Sequence, residues 1–198
     1  MIPTAVLDAI AALPVSADRR RLVALAGPPA CGKSTFAAEL ARITGGRVVP
    51  MDGFHLDNAV LSERGLLAVK GAPETFDAAG FAALIARLAP RDEVAIPVFD
   101  RTRDIAIAGA DIIAPHDDLL IIEGNYLLFD HPDWRDLAPL WDLSIRLDAP
   151  IEVLRNRLVQ RWLDHGFAPD AAAARAEGND LANAMRIKGA ELPADLTI

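Results

Sequence analysis

Short apolar runs alternate with segments of helical periodicity along most of this chain. The apolar runs have the length of strands and cover residues 21–26, 47–51, 94–98, 119–122 and 143–147, with 195–198 as a candidate closing strand. Helical periodicity covers residues 4–13, 34–43, 77–88, about four turns after Pro150, and 180–187. Strands that alternate with helices indicate a parallel sheet with helices on both faces. We therefore predict an α/β fold, a three-layer α/β/α sandwich.

Two stretches do not fit this alternation. Residues of about 52–76 and 99–118 are longer than ordinary connections in a compact domain, and long connections often carry function. We expect both to be substrate-site insertions. The chain has 198 residues, which suits one domain over 1–198.

Composition narrows the class of protein. Hydrophobic residues make up 52% and charged residues 24%, so the chain can bury a full core. The net charge of −8 argues against a broad grip on nucleic acid or on an anionic membrane, because both need a basic face. Cys31 is the single cysteine, so no intrachain disulfide can form, and no apolar run has the length of a membrane helix. We expect a cytoplasmic protein with neither nucleic acid nor membrane as partner.

The strongest local motif is a glycine-rich loop between the first strand and the following helix. It matches Gly-x-x-x-x-Gly-Lys-[Ser/Thr], whose backbone N–H groups cradle phosphates. Lys33 would reach the β- and γ-phosphates, and the Ser34 hydroxyl would bind Mg²⁺. A plain turn followed by a helix cap is the alternative interpretation of this motif. Cys31 is either a small residue that fits a crowded loop or a redox switch. The candidate ATP-binding residues are Gly27, Pro28, Pro29, Ala30, Cys31, Gly32, Lys33, Ser34 and Thr35.

Two carboxylates stand where strands end. Asp52 follows the second strand, and Glu123 ends the apolar run 119–122. The carboxyl ends of parallel strands line the ligand crevice, so Asp52 can accept the proton of an acceptor hydroxyl and Glu123 can hold Mg²⁺. A turn or helix cap is the alternative for Asp52. A guanine-specific Asn-Lys-x-Asp motif is absent, since none of the three lysines follows an asparagine.

Candidate acceptor contacts and a candidate catalytic arginine complete the sequence-based site. Arg157 and Arg161 are four residues apart and share a helix face, and a guanidinium suits contact with the transferring phosphoryl group. We assign that role to Arg161, with a solvated helix face as the alternative. Solvated loop charges are likewise the alternative for the charged acceptor candidates. The acceptor candidates beside Asp52 are His55, Phe99, Asp100, Arg101 and Arg103.

From about Leu22 onward the chain resembles the superfamily of P-loop kinases that contains phosphoribulokinase, uridine kinase and bacterial pantothenate kinase. The specific part of the resemblance is the segment Asp52-Gly53-Phe54, followed by Val60-Leu61, Glu63-Arg64-Gly65-Leu66 and the block Lys70–Asp77. Further matches are Ile121–Asn125, which resembles the Walker B segment, Asp148-Ala149-Pro150 at the start of the lid helix, and Arg161 at the lid arginine. The resemblance implies a parallel five-stranded sheet, a lid of about 155–180, ATP and Mg²⁺ as cofactors, and hints at a homodimer.

The chain departs from its named relatives at the acceptor side. The Tyr-Ser-His stretch of pantothenate kinases is replaced by Phe99-Asp100-Arg101, their lid tyrosine by Leu158, and the histidine of uridine kinases by Asp104. The pattern that includes Glu123–Leu128 and Asn179–Leu181 looks most like bacterial proteins labelled fructose transport system kinases. The resemblance implies an ATP- and Mg²⁺-dependent kinase that acts on a small polar metabolite, and the expected metabolite is a sugar. Alternatives are a nucleoside or pantothenate-type kinase, an NTPase that serves a partner, and a nucleotide-binding module without chemistry.

Overall fold

The computed structural model describes all 198 residues. Seven helices and seven strands follow in the order α1 (Thr4–Ala11), β1 (Arg21–Ala26), α2 (Lys33–Thr44), β2 (Arg47–Pro50), α3 (Asn58–Glu63), α4 (Ala78–Leu88), β3 (Val94–Asp100), β4 (Ile105–Ile113), β5 (Leu119–Gly124), β6 (Leu143–Arg146), α5 (Ile151–Asp164), α6 (Pro169–Arg175), α7 (Leu181–Lys188) and β7 (Leu196–Thr197). Short 3₁₀ turns cover Met51–Phe54, Leu67–Val69, Pro73–Thr75 and Arg135–Leu140, and a π-helical turn, Ala176–Asp180, joins α6 to α7. None of these helices is both long and apolar enough to span a bilayer.

A parallel five-stranded sheet in the order β2-β5-β1-β6-β7 forms the middle of the molecule. Its central strands β1 and β5 are buried on both faces, which is why they read as uninterrupted apolar runs in the sequence. The predicted α/β sandwich with a five-stranded parallel sheet is confirmed. All five strands end at the same edge, and this edge carries the candidate site.

The strand predicted at 94–98 lies outside this sheet. It forms β3 and pairs antiparallel with β4 in a separate two-stranded sheet. The stretch 99–118, predicted as a substrate-site insertion, is therefore largely one arm of a hairpin. Ile105–Ile113 interleaves isoleucine with alanine and glycine, so four of its nine residues are small and exposed, and its strand signal is weak.

The core is divided between the two faces of the sheet because alternate residues of each strand point in opposite directions. Leu22, Ala24 and Ala26 of β1 join a cluster of 22 buried residues under α4. Val23 and Leu25 join a second cluster of 16 buried residues under α1 and α2. Asp77 begins α4 by accepting a hydrogen bond from the backbone N–H of Gly80, as its sequence position predicts. The two clusters hold the sheet rigid behind the site.

Arg20 closes the opposite end of the sheet. Its side chain is fully buried just before β1, without a carboxylate partner. The guanidinium instead donates hydrogen bonds to the backbone carbonyls of Leu88, Pro90, Asp92, Ala114 and Asp117. One side chain thereby ties together the loops that flank β3, β4 and β5.

Candidate active site

The phosphate-loop motif forms a tight turn between β1 and α2. Gly27 has a φ of +155°, and a Cβ there would lie 2.3 Å from the carbonyl oxygen of Leu147. Gly32 has a φ of +106° and immediately precedes the first residue of α2. Only glycine adopts both backbone conformations without strain. The loop is thus a backbone cradle that opens onto a helix N-terminus, the arrangement that binds phosphate groups.

Lys33 and Ser34 begin α2 and face different partners. The Lys33 ammonium is folded into the loop, where Nζ donates to the carbonyl of Pro28 at 2.8 Å and lies 3.8 Å from the Sγ of Cys31. The Ser34 hydroxyl donates to Oε1 of Glu123 at 3.2 Å. The Lys33 ammonium is therefore bound within the phosphate loop, and the Ser34 hydroxyl contacts the Glu123 carboxylate at the end of β5.

Glu123 and Asp52 lie together at the carboxyl edge of the sheet. Glu123 is paired in register with Pro50, the last residue of β2, and Asp52 follows two positions later. Burial raises the pKa of Glu123, and the negative charge of Asp52 raises it further. A buried carboxylate and a hydroxyl in mutual contact are the hard oxygen ligands that Mg²⁺ prefers, and Mg²⁺ needs few protein ligands because it keeps several waters. Ser34 and Glu123 therefore fit a magnesium ion.

Asp52 lies at the centre of the predicted acceptor side. Its Oδ2 accepts a hydrogen bond from Nη2 of Arg101 at 2.5 Å. Its backbone carbonyl lies 2.8 Å from Nδ1 of His55. The His55 ring packs between Phe76, at 4.0 Å between ring centroids, and Phe99, at 4.6 Å. Burial lowers the pKa of His55, so the imidazole is neutral at pH 7.

The turn that connects β3 to β4 carries the other predicted acceptor residues. Arg103 pairs with Asp100 through Nε at 2.7 Å, and hydrogen bonds from Arg103 lower the pKa of that carboxyl. The far end of the turn is held by Lys70, whose Nζ donates to the carbonyl of Asp104 at 2.8 Å and to Oδ1 of Asn58 at 2.7 Å. The sequence-based site lacked Lys70 and Asn58, although Lys70 opens the block 70–77 that carries the family resemblance.

The two candidate arginines of α5 have different partners. Arg157 donates to the carbonyls of Ala30 and Cys31 at 3.2 Å each, so it contacts the phosphate loop directly. Arg161, one turn further along, donates to Oδ2 of Asp180 at 2.9 Å. The structure therefore brings Arg157 to the phosphate loop, whereas Arg161 pairs with Asp180 within the segment 155–180 that the resemblance implies to be a lid. Helical spacing predicts both arginines on one helix face, and the predicted site includes Arg161 but not Arg157.

The π-helical turn 176–180 connects the two halves of the site. Asp180 accepts from Arg161 and also from Nε1 of Trp162 at 2.7 Å. The neighbouring Asn179 donates to the carbonyl of Lys70 at 2.8 Å. Adjacent residues of one turn thus contact α5 on the nucleotide side and the segment 67–75 on the acceptor side. Irregular turns of this type occur frequently at functional sites.

Two cavities adjoin these elements. One of about 620 Å³ lies against the phosphate loop and is lined by Gly32, Thr35, Phe36, Leu147 and Arg157 among others. Its volume is in the range of small-molecule sites, and its position beside the loop suits the nucleoside part of a nucleotide. A second cavity, of about 450 Å³, lies between α4 and the hairpin, behind residues 53–57. Its walls include none of the strand-end carboxylates.

Comparisons with known proteins agree with this arrangement. Residues 22–171 match the model of the Phosphoribulokinase / Uridine kinase family. The chain is 35% identical over 181 residues to the Escherichia coli protein YggC, covering 87% of this chain and 75% of YggC. It is 32% identical over 150 residues to a pantothenate kinase of Mycolicibacterium vanbaalenii, covering 72% of this chain and 48% of that enzyme.

A solved structure from Silicibacter sp. TM1040, named provisionally as a fructose transport system kinase, is 54% identical to this chain. It superposes with a TM-score of 0.93, covering 100% of this chain and 99% of that one. The family match at 22–171 spans the phosphate loop, both strand-end carboxylates and α5. The chain therefore belongs to the Phosphoribulokinase / Uridine kinase family.

Proposed function

We propose that this protein is a kinase that transfers the γ-phosphoryl group of ATP, with Mg²⁺, to a hydroxyl of a small polar metabolite. The observation that carries the proposal is the placement of Asp52 beside the Ser34–Glu123 pair at the end of the phosphate loop. A proton acceptor and a metal-binding pair at one strand edge suit phosphoryl transfer to an alcohol. We propose a sugar as the metabolite, since the solved structure at 54% identity carries the name of a fructose transport system kinase.

The nucleotide side consists of the loop 27–35 and its two neighbours. Backbone N–H groups of the loop and of the first turn of α2 bind the phosphates, and Lys33 exchanges the carbonyl of Pro28 for phosphate oxygens. Ser34 and Glu123 would hold Mg²⁺, which neutralises charge on the β- and γ-phosphates when bound. Arg157 holds the loop from outside through two of its carbonyls.

On the acceptor side, Asp52 orients the attacking hydroxyl and takes its proton. The acceptor oxygen forms a bond to the γ-phosphorus as the bond from that phosphorus to the β,γ-bridging oxygen breaks, and ADP leaves with the electron pair. The neutral His55 ring holds the backbone carbonyl of Asp52 in place through Nδ1. The Phe76 and Phe99 rings pack against the His55 imidazole and keep it in the orientation that bonds to the carbonyl of Asp52.

The lid completes the site. Arg161 leaves Asp180 and then contacts the transferring phosphoryl group. Its guanidinium stabilises the developing negative charge there and so lowers the activation barrier. Closure of the lid over the loop also excludes water, which would otherwise compete with the acceptor.

An ADP-release screen tests the proposal. Purified protein is assayed with MgATP against sugars, nucleosides and pantothenate, beside the Lys33→Ala variant. We expect one acceptor class to accelerate ADP release, and we expect Lys33→Ala to abolish that acceleration while its circular dichroism spectrum stays native, because Lys33 contacts only its own loop. Near-normal turnover by Lys33→Ala would contradict the phosphate-cradle assignment. ATP hydrolysis that no acceptor accelerates would identify an NTPase, and tight ATP binding without turnover a binding module.

A further inference from the structure

The carboxylate assigned above as the proton acceptor already has a cationic partner. Oδ2 of Asp52 accepts from the guanidinium of Arg101 at 2.5 Å, and the two side chains are 22% and 65% exposed. This charge-assisted hydrogen bond occupies Oδ2, while Oδ1 still has lone pairs for a substrate hydroxyl. Both oxygens of Asp52 become available only when a group of the acceptor replaces Asp52 as the partner of Arg101.

The turn that carries Arg101 is fixed on both sides. At its far end, Asp104 is held by Lys70 and by the amide of Asn58. Within the turn, the charge of Arg103 is matched by Asp100. Arg101 is thus the one cation of the turn whose partner belongs to the reaction site, and its position follows from the anchored hairpin.

Physical chemistry limits what can displace this guanidinium. An ion pair with one partner mostly exposed is weak, on the order of fivefold in equilibrium or less, so a ligand can break it. A planar guanidinium binds best to carboxylate or phosphate oxygens, which accept two parallel hydrogen bonds. A neutral sugar offers only hydroxyl groups, so it leaves the pair between Arg101 and Asp52 largely intact.

We propose, on the basis of the kinase function above, that the acceptor carries an anionic group close to the hydroxyl that is phosphorylated. Arg101 exchanges Asp52 for this carboxylate or phosphate, and the exchange frees Oδ2 of Asp52, in addition to Oδ1, for the hydroxyl. The guanidinium and the carboxylate are in direct contact, so the anion and the reacting hydroxyl of the acceptor lie side by side, a few bonds apart. The substrate class is a sugar acid or a sugar phosphate, and Arg101 determines that specificity.

Matched acceptor pairs test this inference. D-gluconate is compared with D-glucitol, and fructose 1-phosphate and fructose 6-phosphate with fructose, by kcat/KM for ADP release. The wild type should prefer the charged members by about 10- to 100-fold, the worth of a hydrogen bond to a charged group. Gluconate and the sugar phosphates form separate arms, which show whether the anion is a carboxylate or a phosphate.

The variant Arg101→Gln should lose this preference and should hydrolyse ATP without acceptor faster, by about fivefold or less, because Asp52 is no longer paired. The control is Arg47→Gln, which removes another exposed arginine–aspartate pair between the hairpin and the sheet, to Asp111 at 2.8 Å. Arg47 begins β2 at the opposite edge of the sheet, so its removal should leave the preference unchanged.

Two results would overturn the inference and leave the kinase function standing. These are equal kcat/KM for charged and neutral members in the wild type, and a charge preference that survives in Arg101→Gln. If no acceptor in this panel or in the wider screen accelerates ADP release, the proposed function fails and the inference fails with it.

Discussion

Replacing Asp52 by asparagine separates catalysis from binding and from stability. The substitution keeps the size of the side chain and one hydrogen-bond acceptor but removes the proposed proton acceptor and its negative charge. Turnover with the acceptor should fall by about 10²- to 10⁴-fold, the usual contribution of positioned acid–base catalysis. At about 1.4 kcal/mol for each factor of ten, the activation barrier rises by about 3 to 5 kcal/mol.

The same substitution should change stability very little. The ion pair to Arg101 is half exposed, with the aspartate at 22% and the arginine at 65%, and such pairs contribute about 0.2 to 1 kcal/mol. For a domain of this size, 1 kcal/mol corresponds to about 2–4 °C in Tm. The pKa of Glu123 should fall when the neighbouring negative charge is removed, so its ionised form is favoured and MgATP affinity stays equal or increases.

Three measurements check this prediction: acceptor-dependent ADP release, calorimetric titration with MgATP, and thermal unfolding. The matched control is Asp111→Asn, which removes the carboxylate of a comparably exposed pair to Arg47. If Asp52→Asn lost MgATP binding while an acceptor-dependent rate survived at saturating ATP, Asp52 would be a metal-side residue. The proton acceptor would then have to be sought elsewhere, with Asp100 as the next candidate.

Three further predictions address the metal site, the loop and the scaffold. Burial raises the pKa of Glu123 above its unfolded value, so the ionised carboxylate opposes folding once the pH rises through the raised pKa. Glu123→Gln should therefore raise the Tm of the metal-free protein more at pH 7 than at pH 4. Thermal melts in EDTA measure this difference. Gly27→Ala places a Cβ 2.3 Å from the carbonyl oxygen of Leu147 and should weaken MgATP binding by about tenfold or more in calorimetry. An unchanged affinity would show that the loop accommodates the added methyl group. Arg20→Met leaves five backbone carbonyls without their hydrogen-bond donor. It should lower the free energy of unfolding, measured by urea titration, by about 3–5 kcal/mol. An unchanged urea midpoint would show that water replaces the guanidinium.

The sequence predicts the central strands of the five-stranded sheet well because these strands are defined by burial. β1 and β5 are covered on both faces, and two-sided burial requires consecutive apolar residues. The hairpin of β3 and β4 has one exposed face, so Ile105–Ile113 mixes large and small residues and resembles a loop. Its pairing with β3 depends on a partner strand, and local composition does not show it.

A similar distinction separates the parts of the site. The loop 27–35 is recognisable because neighbouring residues build it, and Asp52 and Glu123 because each follows a strand. The contacts of Arg157 with Ala30 and of Arg101 with Asp52 join residues 127 and 49 positions apart. Helical spacing places Arg157 and Arg161 on one face of α5, but the choice between the phosphate loop and Asp180 follows from tertiary packing.

The π-helical turn 176–180 has a thermodynamic consequence. Asn179 is bonded to the segment beside the proposed acceptor site, and Asp180 is bonded to Arg161, the proposed catalytic arginine, so both substrates are expected to act on this one turn. We expect the substrate that binds first to bear the free-energy cost of rearranging this turn, and the second to bind to a turn already rearranged. Because such coupling is reciprocal, the factor by which the acceptor tightens ATP equals the factor by which ATP tightens the acceptor. The dissociation constant of each substrate, titrated with and without an unreactive analogue of the other, should therefore shift by the same ratio.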